Sequence, residues 1–478
     1  GPPPTAHKAR RMAASAVGGA AEGSAPQVAG SPRRVGGFVL PGGVQADDFT
    51  YEVPLKHDDP SDGRTLTIFY RTLTKHPSKK LPILCYLQGG PGFPSPRALG
   101  AHGWIGRALK EFTVLLMDQR GTGRSTPITT HWAQQVPDPQ QQAEYLSCFR
   151  ADSIVDDLEA LRIALQRREP WALLGQSFGG FCTLTYLSKY PQSVTMAMFT
   201  GGIPPALHPI EDVYRATFRT VQRRNEQFFA TFPEDKALVR RILRILLASP
   251  PLLPSGARLT AQRFQQLGIL LGGSGGMQRL HYILEQAFSE GDDHLSLVFL
   301  CDVEAQMSFH THPIYAILHE AIYMEGRSSR WAAQRVRDEP AFSAAFDASR
   351  VLAEDDAAES LPPLFSGEMV FPFMFDDEDT FVALKPLARA AHILAEKDDW
   401  PALYSMERLR ECNVPCAAAI FYDDMYVERE FSVAVASQMP GMRTFITNEM
   451  QHSALRDVGY SLLDKLLSLT KGELTLPP

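Results

Sequence analysis

The sequence predicts an α/β fold, a mostly parallel sheet flanked by helices and interrupted by an inserted helical domain. Three observations carry that expectation. Between residues 81 and 199, short apolar runs alternate with stretches of helical periodicity, which is the pattern of βαβ units. A long central stretch then loses its strand signals. Two further strand-like runs, 414–422 and 443–447, follow it.

In chain order, residues 49–55 and 65–73 read as strands separated by charged turn residues. Residues 81–87 form an apolar run that ends in Gly89-Gly90-Pro91-Gly92, and 112–117 form another that ends in Asp118-Gln119-Arg120-Gly121. From 154 to 165 the apolar positions recur at helical spacing, and 171–175 is a short strand. Residues 181–190 read as the next helix and 194–199 as the strand after it. In the central stretch, 215–232 and 236–247 look like amphipathic helices, and 312–325 reads as a helix entered through Pro313. After the returning strands, 460–469 is a terminal amphipathic helix. The expected organisation is a leader over 1–45, a first part of the core over 46–205, a helical cap over 206–385 and a second part of the core over 386–478.

The leader is rich in Ala, Gly, Pro and Arg, and its first acidic residue is Glu22. It reads as a disordered segment, and its basic, acid-poor composition is also compatible with an organellar transit peptide. A hydrophobic content of 44% supplies ample core, and a formal net charge of -7 gives no basis for nucleic-acid binding. No apolar run approaches the roughly 18 residues that a membrane-spanning helix needs. The six cysteines form no CxxC pair, and several lie inside apolar runs, as Cys85 does. Buried free thiols in a reducing, cytoplasmic compartment are the expectation, with no metal or other cofactor.

The chemistry concentrates in Gly175-Gln176-Ser177-Phe178-Gly179-Gly180. This is G-x-S-x-G between a predicted strand and a predicted helix, a turn tight enough to require glycines and to lift the serine hydroxyl out of the backbone. A serine hydroxyl is a weak nucleophile; it needs a base, and the base needs an orienting carboxylate. In such sheets the chain order is Ser, acid, His, with each at a strand C-terminal end. His452 follows the last strand and fits the base, ahead of His310, His312, His319 and His392, none of which follows a core strand. Asp423 and Asp424 follow the strand before it, and either fits the acid. The backbone N–H groups of Gly89 and Gly90, with that of Phe178, are candidate oxyanion donors.

Together these motifs resemble the proline iminopeptidase (prolyl aminopeptidase) family of α/β-hydrolases, in its longer form with an enlarged cap. The resemblance rests on Gln88-Gly-Gly-Pro-Gly92, Asp118-Gln-Arg-Gly-Thr-Gly-Arg-Ser125 and Gly175-Gln-Ser-Phe-Gly-Gly180, and it covers about residues 48–470. Gln88 stands where the family pattern has His. Larger members carry a D-M-Y-V segment holding the triad acid; here it is Asp424-Met425-Tyr426-Val427, which selects Asp424. The resemblance implies a serine aminopeptidase acting on peptides with a free N-terminal proline. It also implies cap carboxylates that hold the substrate amine: Glu320, in a segment like E-x-x-Y with Tyr323, and Glu368, with Glu304 and Glu325 in reserve. Phe178, Tyr323 and Phe371 are candidates for the proline pocket, and Arg120 is expected to brace a loop through a carboxylate. The competing reading keeps the triad and changes the substrate, as in an esterase or amidase. A non-enzymatic scaffold is disfavoured, because such proteins usually lack a triad member.

Overall fold

A computed structural model describes residues 30–165, 169–289, 293–355, 359–377 and 379–474. Among them, nine strands form one sheet: β1 (Arg33–Leu40), β2 (Val44–Pro54), β3 (Thr65–Thr74), β4 (Ile83–Leu87), β5 (Thr113–Met117), β6 (Trp171–Gln176), β7 (Val194–Thr200), β8 (Cys416–Phe421) and β9 (Met442–Thr447). Their spatial order is β1-β2-β3-β5-β4-β6-β7-β8-β9. The pairings from β1 through β3 to β5 are antiparallel, and every pairing from β5 to β9 is parallel.

β1 corrects the leader expected over 1–45. Residues 1–29 lie outside the described residues, but Arg33–Leu40 pairs along β2 in register from Arg33↔Thr50 to Leu40↔Val44. Val35, Phe38, Val39 and Leu40 are β-formers, and the Arg71 guanidinium from β3 lies 4.8 Å from the Phe38 ring centroid. Those side chains outweigh the Gly-rich, basic composition that suggested disorder.

The parallel strands are apolar throughout because both faces are covered. Cys85 and Leu87 of β4 face one core, shared with the helices Ala151–Ala164 and Phe178–Lys189. Leu84 and Tyr86 face the other, shared with the helices Gly103–Ala108 and Gly459–Lys471. The strand order turns back at β4, which lies between β5 and β6. A crevice therefore opens beyond the C-terminal ends of these strands, where α/β sheets place their sites.

Between β7 and β8 the chain is helical, led by Ile210–Thr231 and Asp235–Ala248. Among the described residues this insert adds no strand to the sheet. Its apolar side chains, among them Phe218, Phe228 and Leu243, join the same core as Phe178 and Phe181. The single helix expected over 312–325 is instead two short turns, Ile314–Ile317 and the 3-10 turn Ala321–Tyr323. The buried Arg150 guanidinium takes the carbonyls of Ala321 and Met324. Backbone acceptors that a continuous helix would use thus serve a tertiary contact. Among the described residues, no helix is long and apolar enough to cross a membrane.

Candidate active site

Ser177 sits between β6 and the helix Phe178–Lys189 with φ 54° and ψ -126°. A non-glycine residue there is strained by about 1–3 kcal/mol and persists only where its surroundings hold it. Its N–H donates to the Thr200 carbonyl at 3.0 Å, and its own carbonyl accepts from the Gly180 N–H at 2.7 Å. The turn is tight because the backbones touch: a Cβ on Gly179 would lie 1.9 Å from the Leu87 carbonyl oxygen. On the other side, a Cβ on Gly89 would lie 2.9 Å from the Ser177 Cβ, so the backbone after β4 runs directly against the nucleophile candidate. The Phe178 N–H is the first of its helix and has no intrahelical acceptor.

His452 and Asp424 follow β9 and β8 and meet in a buried pair, Nδ1 to Oδ2 at 2.8 Å. The second oxygen, Oδ1, accepts the Tyr426 and Val427 N–H groups at 2.9 and 3.1 Å. The carboxylate is thereby fixed, and it favours the His452 tautomer with the proton on Nδ1 and Nε2 open. Burial opposes a charge on His452, but the Asp424 carboxylate, helped by Glu368, outweighs it and raises the imidazole pKa above its ordinary value. Asp423 is partly exposed and forms no bond to His452. Among the described residues, none of the competing histidines pairs with Asp424. His392 bonds Asp376 and Trp331. His310 is exposed, and burial pulls His319 down to about 4. His312 packs on Phe93 at the cavity wall, and burial lowers its pKa too.

The loop after β5 supports the turn after β4. The Gln119 side chain donates to the Gln88 carbonyl at 3.1 Å. Asp118 accepts the Ser95 N–H at 3.0 Å and the Arg124 N–H at 2.9 Å, and it also pairs with Arg97. Arg120 is fully buried; it grips Asp157 at 2.7 and 2.5 Å and the Leu55 and Cys148 carbonyls at 2.8 and 2.7 Å. It belongs to the scaffold and does not line the cavity above Ser177.

That cavity encloses about 670 Å³. Ser177, His452, Gly89 and Gly90 lie on its walls with Glu368 and the aromatic side chains Phe93, Tyr315 and Tyr426. Tyr315 Oη donates to Glu368 Oε2 at 3.4 Å. Burial pushes the Glu368 carboxyl up to about 7, against the attraction of His452.

The structure does not bring Glu320 or Tyr323 onto this wall. Glu320 is buried beside the helix Ala332–Arg337, where Oε1 accepts the Ala333 N–H at 2.9 Å. The free N–H groups of that helix start attract the carboxylate more effectively than the cavity does. Tyr323 lines a separate cavity of about 310 Å³, bounded by Pro204–Pro209 and Tyr404. Phe178 and Phe371 are buried in the core and do not line the catalytic cavity. The reserve residues are also committed elsewhere: Glu304 binds Ser255, and Glu325 caps the Leu403 and Tyr404 N–H groups. Sequence reasoning missed Phe93, Tyr315 and Tyr426 as wall residues and Arg456 at the cavity edge. Tyr426 lay inside the quoted D-M-Y-V segment, and Arg456 stands one helical turn beyond His452. Phe93 directly follows the Gly-Gly-Pro-Gly turn, whereas nothing in the local sequence marked Tyr315.

Comparison with known proteins fits this geometry. A family model described as the alpha/beta hydrolase fold matches residues 82–287. The chain is 46% identical over 431 residues to a proline iminopeptidase of Aeromonas sobria, covering 90% of this chain and 97% of that protein. It is 33% identical over 441 residues to a proline iminopeptidase of Aspergillus aculeatus, covering 90% of this chain and 94% of that one. On similarity of that level over nearly the whole length, the chain belongs to the proline iminopeptidase family of α/β-hydrolases.

Proposed function

We propose that this protein is a serine aminopeptidase that releases an N-terminal proline from peptides through an acyl-enzyme. The observation that carries the reading is one cavity holding a strained serine, an Asp-paired histidine and Glu368, the one carboxylate on its wall among the described residues.

Ser177 Oγ attacks the carbonyl of the N-terminal prolyl residue. His452 Nε2 takes the hydroxyl proton and returns it to the departing peptide nitrogen. Asp424 orients the ring and stabilises the imidazolium. The N–H groups of Gly89, Gly90 and Phe178 face the developing oxyanion, preorganised by the elbow and by the turn after β4. Water then attacks the acyl-enzyme, with His452 again acting as base. A prolyl N-terminus at neutral pH is a secondary ammonium with two N–H donors. Glu368, oriented by Tyr315, is the counter-charge that holds it, and the bound ammonium draws the carboxyl toward its ionised form. Anchoring the amine at a fixed distance from Ser177 restricts cleavage to the first peptide bond. Phe93, Tyr315 and Tyr426 supply the apolar wall for the pyrrolidine ring. Glu320 acts at a remove, fixing the segment that carries Tyr323. The buried free thiols Cys85, Cys148, Cys182, Cys412 and Cys416 support a reducing, cytoplasmic setting.

The test is hydrolysis of a panel of aminoacyl chromogenic amides carrying Pro, Ala, Leu, Arg and N-acetyl-Pro. Preferential cleavage of the Pro amide, abolished by acetylation, is expected. Equal cleavage of the acetylated amide would remove the amine anchor and leave an amidase or esterase.

A further inference from the structure

The catalytic cavity carries one charged group of each sign on its wall. Among the described residues on its wall, Glu368 is the one carboxylate and Arg456 the one permanent cation. Both act on His452 from opposite signs: Glu368 raises the pKa of its imidazole and Arg456 lowers it. Glu368 belongs to the cap side, bonded to Tyr315. Arg456 belongs to the sheet side, near Tyr86, whose phenol its charge also influences, and beside Trp104 and Leu455 on the wall.

Arg456 is exposed and takes part in no ion pair among the described residues. Its neighbour Asp457 accepts from Ser453 Oγ and forms no ion pair with it among the described residues. An uncommitted guanidinium at the edge of an active-site cavity is a ready partner for a carboxylate, which it can bind through two parallel N–H donors. The cavity volume lies in the range that encloses a drug-sized ligand, so it has room for more than one prolyl residue.

Resting on the aminopeptidase reading above, we propose that Arg456 is a specificity-determining residue that binds the C-terminal carboxylate of a short substrate. The preferred substrates are then prolyl dipeptides and tripeptides, zwitterions whose ammonium lies toward Glu368 and whose carboxylate lies toward Arg456. The leaving amino acid or dipeptide departs by the Arg456 edge.

The experiment compares kcat/KM for Pro-Ala with that for its C-terminal amide, with N-acetyl-Pro-Ala as a third substrate. The wild-type ratio of acid to amide is expected to be roughly tenfold or more in favour of the acid, as charged hydrogen bonds of this kind give. It should shrink when NaCl is raised from about 50 mM to about 1 M, because a pair made by an exposed guanidinium is screened. Arg456→Gln should bring the ratio to about one, mainly through KM for the acid, and Arg456→Lys should restore part of it. Because the readout is a ratio within one protein, a general loss of activity does not imitate the effect. If the variant does not fold, the wild-type ratio and its salt dependence still decide. A wild-type ratio near one, or a ratio unchanged in Arg456→Gln, overturns the assignment. That failure is separate from failure of the aminopeptidase reading, which would appear as cleavage of the N-acetylated peptide.

Discussion

At Ser177 the backbone is held at φ 54° by contacts from β4, β6 and β7, so the hydroxyl is presented without a rearrangement. Ser177→Ala is expected to lower kcat/KM by about 10⁴–10⁶ and to abolish labelling by a fluorophosphonate probe. The proposed base, His452, titrates in an unusual field. His452 must be neutral to act, and its pKa is raised, so the acid limb of kcat/KM should lie above that of an ordinary histidine. Glu368→Gln removes one of the charges that raise it, and the limb should move toward lower pH in a rate profile. The same substitution has a stability consequence with a definite sign. The folded Glu368 pKa of about 7 exceeds its ordinary value of 4.5, so the native state binds the extra proton. Stability from this group is present below the unfolded pKa and is lost as pH rises through about 7. Glu368→Gln should therefore raise the melting temperature at pH 8 more than at pH 5, while sharply lowering turnover of free-amine prolyl amides. A melting temperature that falls equally at both pH values would show that the carboxylate is structural. Strand ends and motif order pointed to Ser177, to His452 and to Asp423 or Asp424, and the D-M-Y-V resemblance selected Asp424, the carboxylate that the structure pairs with His452. Glu320 was misread because spacing along a segment does not reveal which way a buried carboxylate turns, and here a helix N-terminus claimed it.

Individual elements are set by contacts that tolerate little change. Arg120 and Asp157 join the loop after β5 to the helix Ala151–Ala164, both without solvent exposure. Removing one partner leaves the other charge buried, at a cost of about 3–5 kcal/mol. Asp157→Asn should thus lower the denaturant midpoint markedly, measured by urea unfolding. Gly179→Ala places a methyl carbon against the Leu87 carbonyl, and the expected outcome is poor soluble yield or a clearly lowered melting temperature. Strands β2 to β9 were readable within a few residues, since hydrophobic runs and flanking turns dictate them. β1 was not, because its glycines and arginines mask a short pairing segment that gains its order from β2. The 312–325 segment was read as one helix because its apolar periodicity is real; Arg150, distant in sequence, decides where it breaks.

Over the whole molecule, the insert and the sheet share one apolar core. Phe218 and Phe228 of the insert belong to the same cluster as Leu173 of β6 and Ile420 of β8. Calorimetry is therefore expected to give a single cooperative transition, with loss of activity coincident with loss of secondary structure. Two resolved transitions would show that the cap melts by itself. The core-insert-core layout was visible in the sequence as a change of periodicity. The enclosure of the cavity between the two parts was not, because it depends on how the insert packs back over β4 and β6.

The pairing of β7 with β8 joins Ala197 to Cys416 across the entire insert. Synthesis on the ribosome therefore produces Ser177 long before Asp424 and His452. A nascent chain carries the proposed nucleophile without its proposed base while the whole insert is being made. On the proposed mechanism, hydrolytic competence waits until β8 and β9 have docked, and before that step the growing polypeptide is chemically silent toward its neighbours.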